Sequence, residues 1–272
     1  MFMREKSEHL KSDSGISRIP VNLPDRTLRC RHEMKYHISE TKAESMIQFI
    51  KPYIQMDRYS KLQRNGAYPI VSLYLDSNEL RLCKESLLGH KNRFKLRIRG
   101  YTDEPEYPQF LEIKRRMNTI IIKSRARVME SDVPALLSGL PLPPQRYTAD
   151  TETINQFQLY MNSIMAKPVV LVRYLRRAYE GTSHNRVRIT FDYELSYSVT
   201  NLPQVRLNGR GWQRNPFTMG GVILEIKFTD HYPEWLSNMV KYFDLRQRSI
   251  SKYASSIRDS CLLRFCAPRV IE

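Results

Sequence analysis

The chain is short of acid. Its 272 residues hold 28 Asp+Glu against 44 Lys+Arg, a formal net charge of +16, so an anionic partner is expected: nucleic acid, acidic lipid, or a phosphate-rich small molecule or polymer. It is also short of cysteine. Cys30, Cys83, Cys261 and Cys266 form no C-x-x-C pair and are too irregularly spaced for a zinc module, which leaves reduced, packed thiols in a cytosolic protein. No run approaches the roughly 18 apolar residues that a membrane span needs, and the first residues lack the apolar core of a signal peptide. There is no internal repeat. These absences predict a cytoplasmic protein without a transmembrane segment, made of a flexible tail over residues 1–26, broken by Gly15, Pro20 and Pro24, and a folded domain over 27–272.

What the chain does have is alternation. In Phe94-Lys95-Leu96-Arg97-Ile98-Arg99 cation and apolar residue alternate strictly, so a strand here carries Lys95, Arg97 and Arg99 on one face and Phe94, Leu96 and Ile98 on the other. The pattern recurs around Glu33 and Lys35, at Glu112 and Lys114, at Lys123 and Arg125, at Arg188, Thr190 and Asp192, and at Glu225 and Lys227. About eight strands are predicted, with a long one holding Arg173 and Arg177 on one parity and a turn at His184-Asn185. Three helices, over 41–51 (with a capping box at Thr41 and Glu44), 152–166 and 233–244, have apolar stripes to cover the strands' apolar faces. A short helix capped by Asn78 follows the strand 68–76, and the segment 249–265 contains Lys252. The fold class is therefore α+β: an antiparallel β-barrel tunnel of about eight strands with a charged lumen, covered by several helices.

The inward set on this reading is Lys35, Lys95, Arg97, Arg99, Lys114, Lys123, Arg125, Arg173, Arg188, Lys227 and Lys252, against Glu33, Glu112, Asp192 and Glu225. Two like charges about 4 Å apart cost roughly 4 kcal/mol at an effective dielectric of 20. A dry, empty lumen of this composition would be unstable. A few carboxylates among many cations suit a divalent metal, which needs hard oxygen ligands, together with a polyphosphate, which needs Lys and Arg; Glu33, Glu112 and Glu225 are the candidate metal ligands. Readout of RNA single strands usually places aromatics among the cations. Here the aromatics lie mainly on the opposite parity, so no specific nucleic acid is expected.

Seven segments in order, Arg31–Tyr36, Ser72–Asp76, Lys95–Arg99, Leu111–Lys114, Val187–Asp192, Leu224–Phe228 and Ser251–Tyr253, resemble the VTC domain, the catalytic domain of the vacuolar transporter chaperone complex within the CYTH-like triphosphate tunnel metalloenzymes. The resemblance implies a polyphosphate polymerase that moves the γ-phosphate of ATP onto a growing inorganic polyphosphate chain, with Mn²⁺ or Mg²⁺. It implies phosphate-binding tunnel cations at Lys35, Lys95, Arg97, Lys114, Lys123, Arg173 and Arg188, a metal-binding acid at Glu225 and a basic residue near the tunnel end at Lys252. Arg99, Arg125 and Lys227 join the phosphate-binding set from strand parity alone. Of these, Lys35, Arg97, Lys114, Arg173 and Arg188 are the expected catalytic residues. Where the hydrolytic relatives carry a first acid on strand one, this chain has Arg31, which leans toward the polymerase branch. The alternatives are a metal-dependent triphosphatase of the same fold and a non-catalytic binder of polyphosphate or RNA. ATP and polyphosphate are the expected partners, and any membrane partner would be a separate protein.

Overall fold

Period-two alternation makes eight long strands, as a computed structural model shows for residues 32–118, 120–143, 148–181, 187–229 and 232–260. The expected tail, Cys30, Arg31, the turn at His184-Asn185, Cys261 and Cys266 lie outside the described residues. In chain order the elements are β1 (His32–Ser39), α1 (Glu40–Ile50), β2 (Gln55–Met56), α2 (Arg58–Lys61), β3 (Tyr68–Asp76), α3 (Arg81–Leu87), β4 (Asn92–Gly100), β5 (Gln109–Met117), β6 (Ile120–Val128), α4 (Val133–Leu137), α5 (Thr148–Ser163), β7 (Lys167–Glu180), β8 (Val187–Val199), β9 (Gln213–Arg214), β10 (Gly221–Phe228), α6 (Glu234–Tyr242) and α7 (Lys252–Asp259). Every described pairing is antiparallel, and the long strands run in the order β1-β10-β8-β7-β3-β4-β5-β6. The two-residue strands β2 and β9 add short pairings to β7 and β8.

The expected barrel is not closed by backbone: among the described residues no ladder joins β1 to β6. Side chains bridge the two arms instead, with Lys114 Nζ on β5 lying 3.3 Å from Glu33 Oε2 on β1. The sheet curls until charge meets charge across the lumen, and long Lys and Arg side chains fill the space that edge-to-edge pairing would need.

Three apolar clusters hold this shape. Outside, α4 and α5 cover β4, β5 and β6 through Val133, Leu136, Ile154, Phe157 and Met161. Also outside, α1 and α6 cover β1, β8 and β10 through Met46, Ile47, Ile50, Leu236 and Met239. The third cluster is on the inner face, where Ile250, Tyr253, Ala254 and Ile257 of the α7 segment pack on Ile70, Tyr74, Val172, Tyr174 and Tyr197. Burying a side chain of this size stabilises by about 1.5–3 kcal/mol. One part of the lumen is thus plugged by a helix, and the rest is left to charge.

Two helix caps differ from expectation. Ser39, not Thr41, caps α1 by accepting from the Lys42 amide at 3.2 Å, because it is the last extended residue before the helix. At α3 the Asp76 carboxylate, not Asn78, accepts the Leu82 and Cys83 amides at 2.9 Å each. Asp76 also accepts from Tyr253 Oη at 2.6 Å, which ties the plug helix to the end of β3.

Candidate functional site

The register lines the inner face with charge in rows. Lys95 stands opposite Lys114, and Lys114 opposite Lys123, so three adjacent strands present three lysines side by side. The next row reads Tyr74, Arg97, Glu112, Arg125. Across the lumen Glu33 faces Lys227, and Lys35 faces Glu225, on β1 and β10. Like charges directly opposite each other in a sheet are destabilising. Each row therefore needs a counter-charge.

Glu112 supplies one for the β4–β6 side. It is 1 % exposed. Arg97 Nε donates to Oε2 at 2.6 Å, Lys123 Nζ and Arg125 Nε stand 3.1 Å from Oε1, and Arg99 Nε is 3.8 Å from Oε2. Burial alone would raise its carboxyl pKa, but these four cations, Arg97 foremost, hold it well below the usual carboxylate range. Both oxygens are thus held among four cations in a side chain closed to solvent, so Glu112 does not fit the metal-binding role expected of it; Glu33, whose oxygens also face lysines, is the more open carboxylate at 21 % exposure.

Glu33 and Glu225 form the second group. Lys35 Nζ is 2.8 Å from Glu33 Oε1, Lys227 Nζ is 2.7 Å from Glu225 Oε1 and 4.0 Å from Glu33, and Lys114 reaches Glu33 as described. Burial and the neighbouring Glu225 push the Glu33 carboxyl up; Lys35, Lys114 and Lys227 outweigh them and bring it to about 2. Burial likewise opposes ionisation of Glu225, and Lys227 and Lys35 hold it well below its usual range. Among the described residues no cluster of three or more His, Cys, Asp or Glu could hold a metal ion. Two carboxylates still fit a divalent cation of the magnesium kind, which is commonly held by one or two carboxylates plus substrate phosphates.

A third group centres on Asp192, 1 % exposed. Arg176 Nε and Nη2 donate to its two oxygens at 2.6 and 2.8 Å, and Lys252 Nζ lies 2.6 Å from Oδ2 and 4.8 Å from the Tyr174 ring centroid. At the far end of β8, Arg188 pairs with Asp57 at 2.8 Å and Glu180 at 3.0 Å. Lys95 differs from all of these. Among the described residues it has no carboxylate partner, and its Nζ donates to Ser251 Oγ at 2.9 Å, at the N-terminus of α7. Burial, then Lys35, Lys114 and Arg93, bring its pKa down to about 7. Lys114 falls to about 8 through burial and Lys35 despite Glu33, but its side chain is 41 % exposed, so water screens much of that shift.

Of the expected inward cations, Lys35, Lys95, Arg97, Arg99, Lys114, Lys123, Arg125, Arg188, Lys227 and Lys252 stand on the inner face. Arg173 does not. It lies on the outer parity of β7, where Nη1 donates to the Leu207 carbonyl and the guanidinium sits 4.3 Å from the Trp212 ring centroid. Arg176, with Tyr68 opposite on β3 and Asp192 opposite on β8, takes the inward position instead. On β7, Val170, Val172 and Tyr174 share the inner cluster with α7, while Leu171 belongs to the outer cluster that contains α5 and Tyr179 to the one that contains α1, so apolar residues occupy both parities and alternation gives no signal there. Asp192 lies where expected. On β8 the inward parity then changes at Glu194, whose φ of 53° bulges the strand and turns Leu195 and Tyr197 inward.

The family model of the VTC domain matches residues 30–260. The chain belongs to the VTC domain family. No curated protein matches it. Among solved structures, this VTC domain is similar to a candidate adenylate cyclase (bh2851) of Bacillus halodurans, at 12 % identity and a TM-score of 0.45, covering 80 % of this chain and 92 % of that one. It is also similar to PH1819 of Pyrococcus horikoshii OT3, at 11 % identity and a TM-score of 0.40, covering 84 % and 96 %. Among the described residues no helix of this VTC domain is long and apolar enough to cross a membrane.

Proposed function

We propose that this VTC domain is a polyphosphate polymerase that transfers the γ-phosphoryl group of ATP to the end of an inorganic polyphosphate chain held in the curled sheet. The observation that carries the reading is the row Lys95, Lys114, Lys123 beside Lys35 and the Arg97–Glu112 hub. Strands about 4.8 Å apart repeat a cation at regular intervals, which suits a ligand whose own charge repeats along its length. In the step proposed, a terminal phosphate oxygen of the acceptor attacks the γ-phosphorus, the bond from that phosphorus to the β–γ bridging oxygen breaks, and its electron pair leaves with ADP. The Lys and Arg donors of the lumen stabilise the charge on the transferring group and hold donor and acceptor in line. Glu225 and Glu33 are the residues that would hold Mn²⁺ or Mg²⁺, which when bound neutralises phosphate charge. The reading takes its ATP from the cytoplasm and needs no nucleic acid.

The purified chain with ATP and Mn²⁺ is expected to yield ADP and a long anionic polymer that stains as polyphosphate and is destroyed by a phosphatase. ADP or phosphate release without polymer would replace the polymerase with a triphosphatase. Tight RNA binding that polyphosphate fails to displace would overturn both.

Lys95 makes anion binding pH-dependent. Its protonated form binds phosphate, so affinity for inorganic triphosphate should fall as pH rises through about 7, by roughly tenfold for the loss of one charge-assisted contact. Stability moves the other way. The folded pKa is below the ordinary value of 10.5, so between these values the unfolded chain binds more protons, and the empty protein gains stability from this group as pH rises. Calorimetric titrations at pH 6 and 8.5 on wild type and Lys95→Gln isolate the effect, because titration of triphosphate itself is common to both. Parallel pH profiles would sink it.

A further inference from the structure

The turn that joins β5 to β6 ends in side chains that no part of the described protein covers. Met117 is 54 % exposed, Ile120 63 %, Ile121 40 % and Ile122 37 %. Leu87 and Leu88, at the end of α3, are exposed too. The same end of the sheet is basic: Arg93 stands opposite Arg116, Arg116 opposite Ile121, and the Lys91 carbonyl accepts from the Asn118 amide. Arg93, Arg116 and Ile121 continue the inner parity one row past Lys95, Lys114 and Lys123, at the open end of the sheet, while Met117, Ile120 and Ile122 lie on the outer parity. Large apolar side chains grouped at one exposed corner mark an interaction surface.

We propose that this corner docks on a bilayer surface rich in anionic phospholipid. Successive side chains of a strand point to opposite faces, so Ile120 and Ile122 project one way and Ile121 the other. The tip is therefore apolar on both faces. A flat protein surface could cover only one of these faces, whereas the fluid headgroup boundary of a membrane surrounds both. A second copy of the chain would set Arg93 and Arg116 against identical cations, whereas anionic headgroups complement them. Among the described residues β6 pairs only with β5, so its outer backbone groups still need water. Docking is thereby confined to interfacial depth, with the tip inserted and the rest of the sheet outside.

The chain as a whole is strongly basic, so the test has to separate the tip from net charge. The full chain is sedimented with sucrose-loaded vesicles of phosphatidylcholine alone and of phosphatidylcholine with phosphatidylserine, at physiological salt. Wild type should pellet with the anionic vesicles and not with the neutral ones. The triple variant Met117→Ser, Ile120→Ser, Ile121→Ser keeps the formal charge of +16 and should bind about tenfold more weakly. Equal binding by this variant would mean that net charge alone attracts lipid, and overturns the proposal. So does failure of wild type to bind anionic vesicles, which would leave the tip as a surface for a protein. A second variant, Ile121→Trp, should show a blue-shifted emission on anionic vesicles, and an unshifted spectrum also overturns the proposal. Because these side chains are exposed, both variants should melt with wild type.

Discussion

Replacing Glu112 by glutamine is expected to cost about 3–5 kcal/mol of stability, the usual penalty for removing one partner from a buried ion-pair group. Arg97, Arg99, Lys123 and Arg125 all lie on this one carboxylate. Without it, four cations on β4 and β6, the two strands that flank it, repel each other at side-chain exposures of 8 to 29 %. The melting temperature should fall on the order of 10 °C. Added triphosphate should restore much of the loss, since a ligand that binds only the folded state adds stability by mass action and here would take over the missing charge. The pH dependence has a definite sign. The folded carboxyl lies well below its ordinary value of 4.5, so its contribution is present above that value and is lost as pH falls toward the folded one. Wild type should therefore lose its advantage over Glu112→Gln in acid. Thermal unfolding of both proteins, with and without triphosphate, at pH 7 and pH 3 tests this; coincident melting at pH 7 would contradict the hub.

Why one acid serves so many bases was partly legible in the sequence. Strict alternation identified β4, β5, β6 and β10, because each has one face against helices and one against charge. It placed Glu112 on the correct face but assigned it to metal, since spacing along a strand says nothing about which neighbours on adjacent strands claim an oxygen. The register supplies that: Arg97 and Arg125 stand opposite Glu112 on its two sides. The misplaced Arg173 has a different cause. Where α7 enters the lumen, the inner face becomes apolar, and parity on β7 loses its meaning for several residues. A helix that plugs the interior cannot be seen in the strands it touches, and its own sequence, with Ile250, Tyr253, Ala254 and Ile257 at helical spacing, would serve equally well on the outside.

The plug also limits what the lumen can hold. Its N-terminal residues Ser251 and Lys252 meet Lys95 and Asp192, so the charged part of the interior begins where the apolar part stops. A phosphate chain entering from the charged side would meet cations from β1, β4, β5, β6 and α7 at once. The carboxylates of that region are shared so widely that adding anions relieves repulsion instead of creating it, which is the physical content of the proposed function.

Glu225→Gln is expected to reduce Mn²⁺-dependent turnover at least about a hundredfold, the scale on which losing a stabiliser of transition-state charge is felt, while leaving triphosphate binding intact or tighter. The two effects separate because Glu225 has two jobs of opposite sign. Its carboxylate neutralises Lys227 at 2.7 Å and neighbours Lys35, which competes with phosphate for those cations; with Glu33 it is also the acid proposed to hold the metal. Glutamine keeps the shape and removes the charge, so the lysines become more available to an anion and the metal less so. Glu33→Gln should act in the same direction. If either variant folds poorly, triphosphate binding measured by calorimetry will show it, since an unfolded lumen binds nothing. Turnover at the wild-type rate in Glu225→Gln, with binding preserved, would place the metal away from this pair and would leave the cation rows as a binding site without the acid chemistry assigned to it.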